Sequence, residues 1–378
     1  MAGRSIQDVL SPEVVLREIS RIQLPGTVLS DLFGWGLASR DPANMSGNMI
    51  DYPLRDGSYD VFSRTKNAGT GRVPGTANGL IKPQKAGRVK FTIPRLAEQI
   101  ALTDEELVNR RQLGQAVTVI DSMGENYIMR QKRYMAELVG NMIEFQTAAL
   151  LRGSYTFDQV GDELRNAFTG GEETIDFQIP AGNKNQLDML GAGAIVGASW
   201  ATASTNLVND VYQVNQAMNA LTGMGVEHAI CNGVTIQYLL NNDFIKAQAG
   251  TSNTPFEQFE RSGPGRFTIV FRAIPWVKWH IIEYGLNLWD GSSAFAETVL
   301  IANDNVTFLP TPNPSWVQYL NGGEVVTEGP NGTRAFRSGF YAYGFPAWNP
   351  SGWNLCTVHN GFPALYIPQA IATADVVP

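Results

Sequence analysis

The sequence predicts an α+β chain of several parts, and three observations carry that prediction. Residues from about 115 to 152 repeat apolar side chains at three- and four-residue spacing, as one very long amphipathic helix does. Residues 206–250 switch between helical and strand patterns. From Ser338 to Ala374 there is no Asp, Glu, Lys or Arg, yet the stretch is rich in aromatic residues. Pro346, Pro350, Pro363 and Pro368 forbid one long helix there, so strands buried in a core or an interface are expected.

Length and composition set the frame. The 378 residues suggest two to three domains, and a hydrophobic content of 44% is enough for a sizeable core. Charged residues are only 17%, below the usual ~25%, which leaves surface poorly protected by charge and suited to burial against something else. A net charge of −7 argues against a protein that grips nucleic acid by neutralising phosphates. Two cysteines, Cys231 and Cys356, exclude a disulfide scaffold. No apolar signal segment follows Met1, and the uncharged stretch from Met189 to Asn209 is too polar to span a membrane. The expectation is a soluble protein made in the cytoplasm.

The elements follow in order. Residues 1–49 read as an arm: a short helix capped by Ser11-Pro12-Glu13, ended by Pro25-Gly26, then chain without a sustained period. Residues 50–96 read as a two-stranded excursion, with one strand from Met49 to Tyr52, another from Gly87 to Ile93, and a glycine-rich tip from Asn67 to Gly79. Such a ribbon is marginal in water and calls for a partner surface, such as a neighbouring subunit. Thr103-Asp104-Glu105-Glu106 is a capping box that opens a short helix ending near Gly114. The long helix follows, roughly 54 Å at ~1.5 Å per residue, closed by Arg152 and a left-handed cap at Gly153. Its stripe does not hold strict heptads, so a coiled coil is not the first reading. Thr174 to Ile179 alternates like a strand. Leu207 to Leu221 reads as a helix, Glu227 to Cys231 as a strand, and Thr235 to Ala249 as a second helix. Strands are expected at Phe267–Phe271, Val277–Ile282 and Thr298–Ala302, and a hairpin at Trp316–Thr327 turning on Asn321-Gly322-Gly323.

No motif selects a chemistry. Gly69-Thr-Gly71 and Gly191-Ala-Gly193 lack the third glycine of a dinucleotide fingerprint and read as loops. His228, His280 and His359 are far apart in the chain, and His228 and Cys231 would face opposite sides of a strand, so no metal set is expected. Cys231 reads as a small buried hydrophobe. No Gly-x-Ser-x-Gly elbow occurs. Asp104-Glu105-Glu106 is accounted for by the helix cap, and Glu172-Glu173 by a solvated glycine-rich loop. Arg110, Arg111, Arg130, Lys132 and Arg133 read as the solvated face of the helix region, with a surface meeting acidic neighbours or enclosed nucleic acid as the sharper reading. Catalytic, cofactor-binding and metal-binding residues are all expected to be none.

The order of elements is an arm, a glycine-tipped ribbon, one very long helix, an α/β region and an uncharged β-rich C-terminus. This order resembles the HK97-type major capsid proteins of tailed double-stranded DNA phages, and more narrowly the lambda-like capsid protein E family. Ile81-Lys82-Pro83 through Leu96, Met142 through Tyr155, Glu297 through Ile301, and Gly344-Phe345-Pro346-Ala347-Trp348 through Tyr366 carry the likeness. The resemblance implies an N-arm at 1–49, an E-loop at 50–96 lying over a neighbouring subunit, a P-domain at 97–205 with its spine helix at about 115–152, an A-domain at 206–335, and a C-terminal segment at 336–378 completing both domains. It implies hexamers and pentamers of an icosahedral head that encloses double-stranded DNA without sequence-specific binding. The implied partners are a separate scaffolding protein, a portal and a decoration or cement protein, with no membrane and no cofactor. No Lys, Asn and Glu match the isopeptide cross-link of some HK97-type shells. An encapsulin-like compartment is the rival with the same fold, and a soluble α+β hydrolase with a carboxylate pair is the rival from another class.

Overall fold

The computed structural model describes residues 27–36, 47–62, 86–103, 105, 122–160, 169–248, 254–263, 266–289, 295–328, 333–348 and 351–378. In chain order these form α1 (Val28–Leu32), β1 (Met49–Tyr52), β2 (Asp56–Phe62), β3 (Ala86–Thr92), β4 (Arg95–Thr103) and the long α2 (Ser122–Arg152). Then come β5 (Ser154–Val160), β6 (Thr169–Asp176), β7 (Lys184–Asn185), α3 (Leu207–Thr222), β8 (His228–Cys231), α4 (Gly233–Asn241) and α5 (Asp243–Ala247). The remainder is β9 (Phe256–Gly263), β10 (Arg266–Phe271), β11 (Lys278–Ile282), β12 (Gly285–Trp289), β13 (Phe295–Val299) and β14 (Asn305–Leu309), followed by β15 (Val317–Glu328), β16 (Thr333–Ser338), β17 (Phe340–Trp348), β18 (Ser351–Leu365) and β19 (Ala372–Asp375). The chain is α+β, as its patterns predict.

It divides into two compact units, each assembled from separated segments. Unit 1 holds Met1–Gly57, Phe91–Thr147 and Gln318–Ala364; unit 2 holds Ser58–Lys90, Ala148–Val317 and Leu365–Pro378.

Unit 1 is a sheet laid on the first turns of α2. β18 is flanked by antiparallel β17 and β4, β15 runs beside β18, β1 joins β15 in parallel, and β16 pairs with β15. Leu102 of β4 and Leu355 of β18 pack on Ile128 and Met135 of α2. These helix positions are seven residues apart, two turns on one face, as the spacing of the sequence predicts.

The interior of unit 1 is held by polar groups as well. Thr27 makes no side-chain cap on α1. The capping acceptor comes from the long helix instead: Glu144, fully buried, takes the backbone N–H of Leu29 at 2.7 Å and of Ser30 at 2.9 Å. Trp35 follows, its indole N–H donating to Thr147 at 3.0 Å and its ring 5.5 Å from that of Tyr319. The Tyr319 hydroxyl donates to Gln146 at 2.6 Å and lies 2.6 Å from His359 Nε2. That leaves the ring nitrogen to donate, so His359 carries its proton on Nε2. Gly361 permits the approach, since a Cβ there would fall 2.3 Å from the Tyr319 ring.

Unit 2 is a seven-stranded sheet in the order β7-β19-β14-β8-β11-β10-β9. One face carries Ala229, Cys231, Ile269, Phe271, Trp279, Ile281, Val306 and Phe308, and against it packs the stripe Leu207, Val211, Val214 and Met218 of α3. Asn206 caps the start of α3, and Gly223 in the left-handed region (φ 73°) ends it. Two hairpins, β5–β6 and β12–β13, complete the described part.

Several expectations need correction. The arm is not without structure throughout: α1 is a buried helix whose cap lies in α2, which no local pattern announces. The strand at Met49 pairs with β15, and the ribbon is made by β2 and β3, with Tyr59, Val61, Val89 and Phe91 buried. Thr103 ends a strand, β4, that the sequence does not signal, because Ala97, Glu98, Gln99 and Ala101 are exposed and blur its alternation. Glu172 and Glu173 lie on β6 opposite Asp158 and Phe157, not in a loop. The strand expected at Thr174–Ile179 ends at Asp176, and that at Thr298–Ala302 covers Phe295–Val299. The helix expected at Thr235–Ala249 breaks at Asn242, whose extended backbone (φ −70°, ψ 135°) and side chain cap α5. The hairpin at Trp316–Thr327 is one continuous strand. Gly322 and Gly323 do not turn: a Cβ on Gly323 would meet the Phe336 ring at 2.1 Å, so the glycine makes room for a neighbour. The short helices expected at Ser11–Gly26 and Thr103–Gly114, the glycine tip, and the start of the long helix before Ser122 lie outside the described residues.

Glu144→Ala is expected to lower the unfolding free energy of the subunit by about 3 kcal/mol or more, because two buried N–H groups lose their acceptor. Glu144→Gln, which keeps one acceptor oxygen, is expected to lose less. Urea unfolding of the unassembled subunit measures both.

Candidate assembly surface

No constellation for chemistry forms among the described residues, and no group of three or more His, Cys, Asp or Glu there could hold a metal ion. Cys231 is fully buried and burial pushes its thiol up, away from the thiolate a nucleophile needs. Arg130 and Arg133 are exposed on α2, as expected, but Lys132 is buried, so the helix does not present one continuous basic face. Gly191 and Gly193 take left-handed φ values (67° and 108°) in a loop, with open space where a Cβ would stand. Arg110, Arg111, Asp104 and Glu106 lie outside the described residues. Among the described residues, no helix is long and apolar enough to cross a membrane.

Two histidines far apart in the chain nevertheless meet. His228 and His280, separated in sequence, sit on the neighbouring parallel strands β8 and β11 with Nδ1 of one 3.0 Å from Nε2 of the other. Strand pairing brings them together, and nothing in the local sequence marks it.

What unit 1 does offer is strand surface. Neither β4 nor β17, the two strands flanking β18, has a described strand on its outer side. Backbone N–H and C=O groups along such edges are templates for pairing with another chain. Pro346 in β17 removes one donor and is tolerated because β17 is an edge. Along β17, Tyr341, Tyr343 and Phe345 stack in sequence, centroids 6.2 Å apart at each step, as the two-residue period of a strand dictates. Val325 of β15 and Phe336 of β16 stand directly opposite each other and are 63% and 58% exposed. A cross-strand apolar pair left this open is a surface made to be covered.

Beside it lies a charged cluster. Arg95 Nε reaches both Glu324 oxygens at 3.1 and 2.9 Å, and the same carboxylate accepts from Tyr341 at 2.9 Å and Asn360 at 3.1 Å. Burial alone would raise the Glu324 carboxyl, but the hydrogen bonds from Arg95, Asn360 and Tyr341 outweigh it and hold the group below its ordinary value. A cavity of about 110 Å³ opens between Arg55, Ile93, Arg95, Glu324 and Asn360. It is too small and too charged for a substrate of ordinary size.

A model of the family described as phage major capsid protein E matches residues 72–376. The chain belongs to that family. No curated protein sequence matches it significantly. Among solved structures it is similar to a prophage protein of E. coli CFT073 assigned as a capsid protein, with a TM-score of 0.58 at 11% identity over 100% of both chains. It is also similar to a phage-related protein of Bordetella bronchiseptica RB50, with a TM-score of 0.48 at 13% identity over 96% of each chain. The first likeness carries the fold: the α+β HK97-type capsid architecture expected from the order of elements. Unit 1 presents open strand edges and an exposed apolar pair, surfaces of the kind through which copies of a chain can pair.

Two outcomes are expected. Val325→Lys leaves subunit stability within about 0.5 kcal/mol, since the site is exposed, and lowers the yield of assembled particles on sedimentation. Arg95→Met removes a donor to Glu324, so the Glu324 carboxyl titrates at a higher pH. Because its lowered value stabilises the fold above the ordinary carboxylate range, the variant loses less stability than the parent as pH falls through that range, which pH-dependent unfolding reads out.

Proposed function

We propose that the chain is the shell subunit of a phage head, assembling into hexamers and pentamers of an icosahedral capsid that encloses double-stranded DNA without reading its sequence. The family match over residues 72–376 is the observation that carries this reading. The exposed strand edges and the Val325–Phe336 pair support it, because they suit contacts between copies. In this reading residues 1–49 are the N-arm, 50–96 the E-loop, 97–205 the P-domain, 206–335 the A-domain, and 336–378 the segment that completes both domains.

The reading assigns the chain no catalysis and no cofactor. Its partners are further copies of itself, a separate scaffolding protein, a portal and a decoration or cement protein. Assembly takes place in the host cytoplasm, and the product is the virion. The net charge of −7 supports a wall that does not hold DNA by phosphate contacts.

Expression with the neighbouring genes, followed by negative-stain electron microscopy, tests the reading. Closed shells or capsomer rings are expected; particles filled with an enzyme in place of DNA would favour a cellular compartment, and turnover by a stable monomer would favour an enzyme. Deletion of Asn67–Asn78 is expected to leave the subunit folded by circular dichroism and to abolish normal shells. Normal particles from that deletion would overturn the E-loop assignment.

A further inference from the structure

The histidine pair of unit 2 belongs to a hydrogen-bond chain whose direction is fixed at one end. Thr311 donates its hydroxyl proton to the Glu227 carboxylate. Its oxygen is then free to accept, so His228 Nε2, at 3.2 Å, must carry a proton and donate. His228 Nδ1 is therefore the acceptor facing His280 Nε2, which donates across 3.0 Å. His280 Nδ1 accepts in turn from Thr268, at 3.5 Å. Every proton position from β10 across β11 and β8 to the segment after β14 follows from one carboxylate.

We propose that this chain is an acid-sensitive latch: the neutral His228–His280 pair holds the segment 310–316 onto the sheet, and a doubly protonated pair releases it. One proton can be absorbed. It places an N–H on His280 Nδ1 that donates to Thr268, with the proton of the inner link on either ring, while the bond to Thr311 survives. The second proton cannot be absorbed, because two N–H groups would face each other across 3.0 Å; His228 must then turn away from His280, which takes its Nε2–H off Thr311.

The charged and titratable groups around the pair are few. Lys278 stands at the register position of His228 on β11, Glu227 precedes β8, and Glu260 of β9 lies opposite Thr268. Burial, then Lys278, push His228 below the ordinary imidazole value, with Glu227 pulling the other way. Burial, then His228 and Lys278, push His280 down to about 3. An unfolded imidazole takes its proton near ~6.5. The stability held in the neutral pair is thus complete above that value and lost as pH falls below it.

The released segment matters because of where it leads. Thr311 O accepts the indole N–H of the fully buried Trp316 at 3.2 Å, and Trp316 O accepts the backbone N–H of Tyr366 at 2.8 Å. The chain enters unit 1 at Gln318. The latch therefore fixes the last residues of unit 2 before that crossing.

Hydrogen exchange of the full-length unassembled subunit, read from pH 7.5 to 4 as protection factors corrected for intrinsic rates, tests the proposal. Protection of 310–317 is expected to drop at least tenfold toward the acid end, while Leu207–Thr222 keeps its own. His280→Gln still donates to His228 but cannot take a second proton, and is expected to keep 310–317 protected. The latch is overturned by equal, pH-independent protection in the parent protein, by equal loss in the variant, or by simultaneous loss over Leu207–Thr222. Should the variant fail to fold, nitrogen-15 spectra of histidine-labelled parent protein decide: both imidazoles neutral with Nε2–H at pH 6 are expected, and a neutral His228 protonated on Nδ1, or both rings charged together in the folded subunit, overturns it.

Discussion

The Glu144 carboxylate is the constraint on which unit 1 depends. A charged group with no exposure is tolerated only when its oxygens are satisfied, and here two backbone N–H groups of α1 satisfy them. The arrangement works in both directions. The five-residue α1 is too short to stand alone, and the Thr27 side chain caps none of its backbone N–H groups. Those donors in turn help the long helix to bury Glu144. From this joint the order of the unit follows: Trp35 on Thr147, its ring against Tyr319, Tyr319 on Gln146 and His359, and so β15 and β18 set against α2.

Unit 2 is organised differently. Its sheet has one apolar face, covered by α3 and its neighbours, and on the other face it carries His228, His280, Thr268 and Thr307. A polar layer in the middle of a sheet is stable only if its hydrogen bonds close on one another. The directed chain ending on Glu227 achieves this with no net charge on either ring.

The parts legible from the sequence were those with a local cause. The face of α2, the stripe of α3 and its glycine cap, and the burial of the uncharged C-terminal strands all follow from period and composition. The parts that were not legible have causes remote in the chain. Nothing near Val28 foretells a helix capped from 115 residues away. Asn321-Gly322-Gly323 looks like a turn until Phe336 and Ile93 occupy the space above the glycines. The two histidines meet only because β8 and β11 are neighbours, a matter of topology. The working surface was half legible: the aromatic run of β17 stands out as residues, but the openness of Val325 and Phe336 depends on which strands pair.

The interleaving of the two units has a consequence for synthesis. Unit 1 draws on Gln318–Ala364 and unit 2 on Leu365–Pro378, so each is completed by a segment made after the bulk of the other has left the ribosome. Long-range strand pairing forms slowly, and open edges are exposed while it waits. Neither unit is thus finished in one unbroken run of synthesis. A nascent chain cannot join a growing lattice half-made, and only finished subunits carry the surfaces that recognise one another.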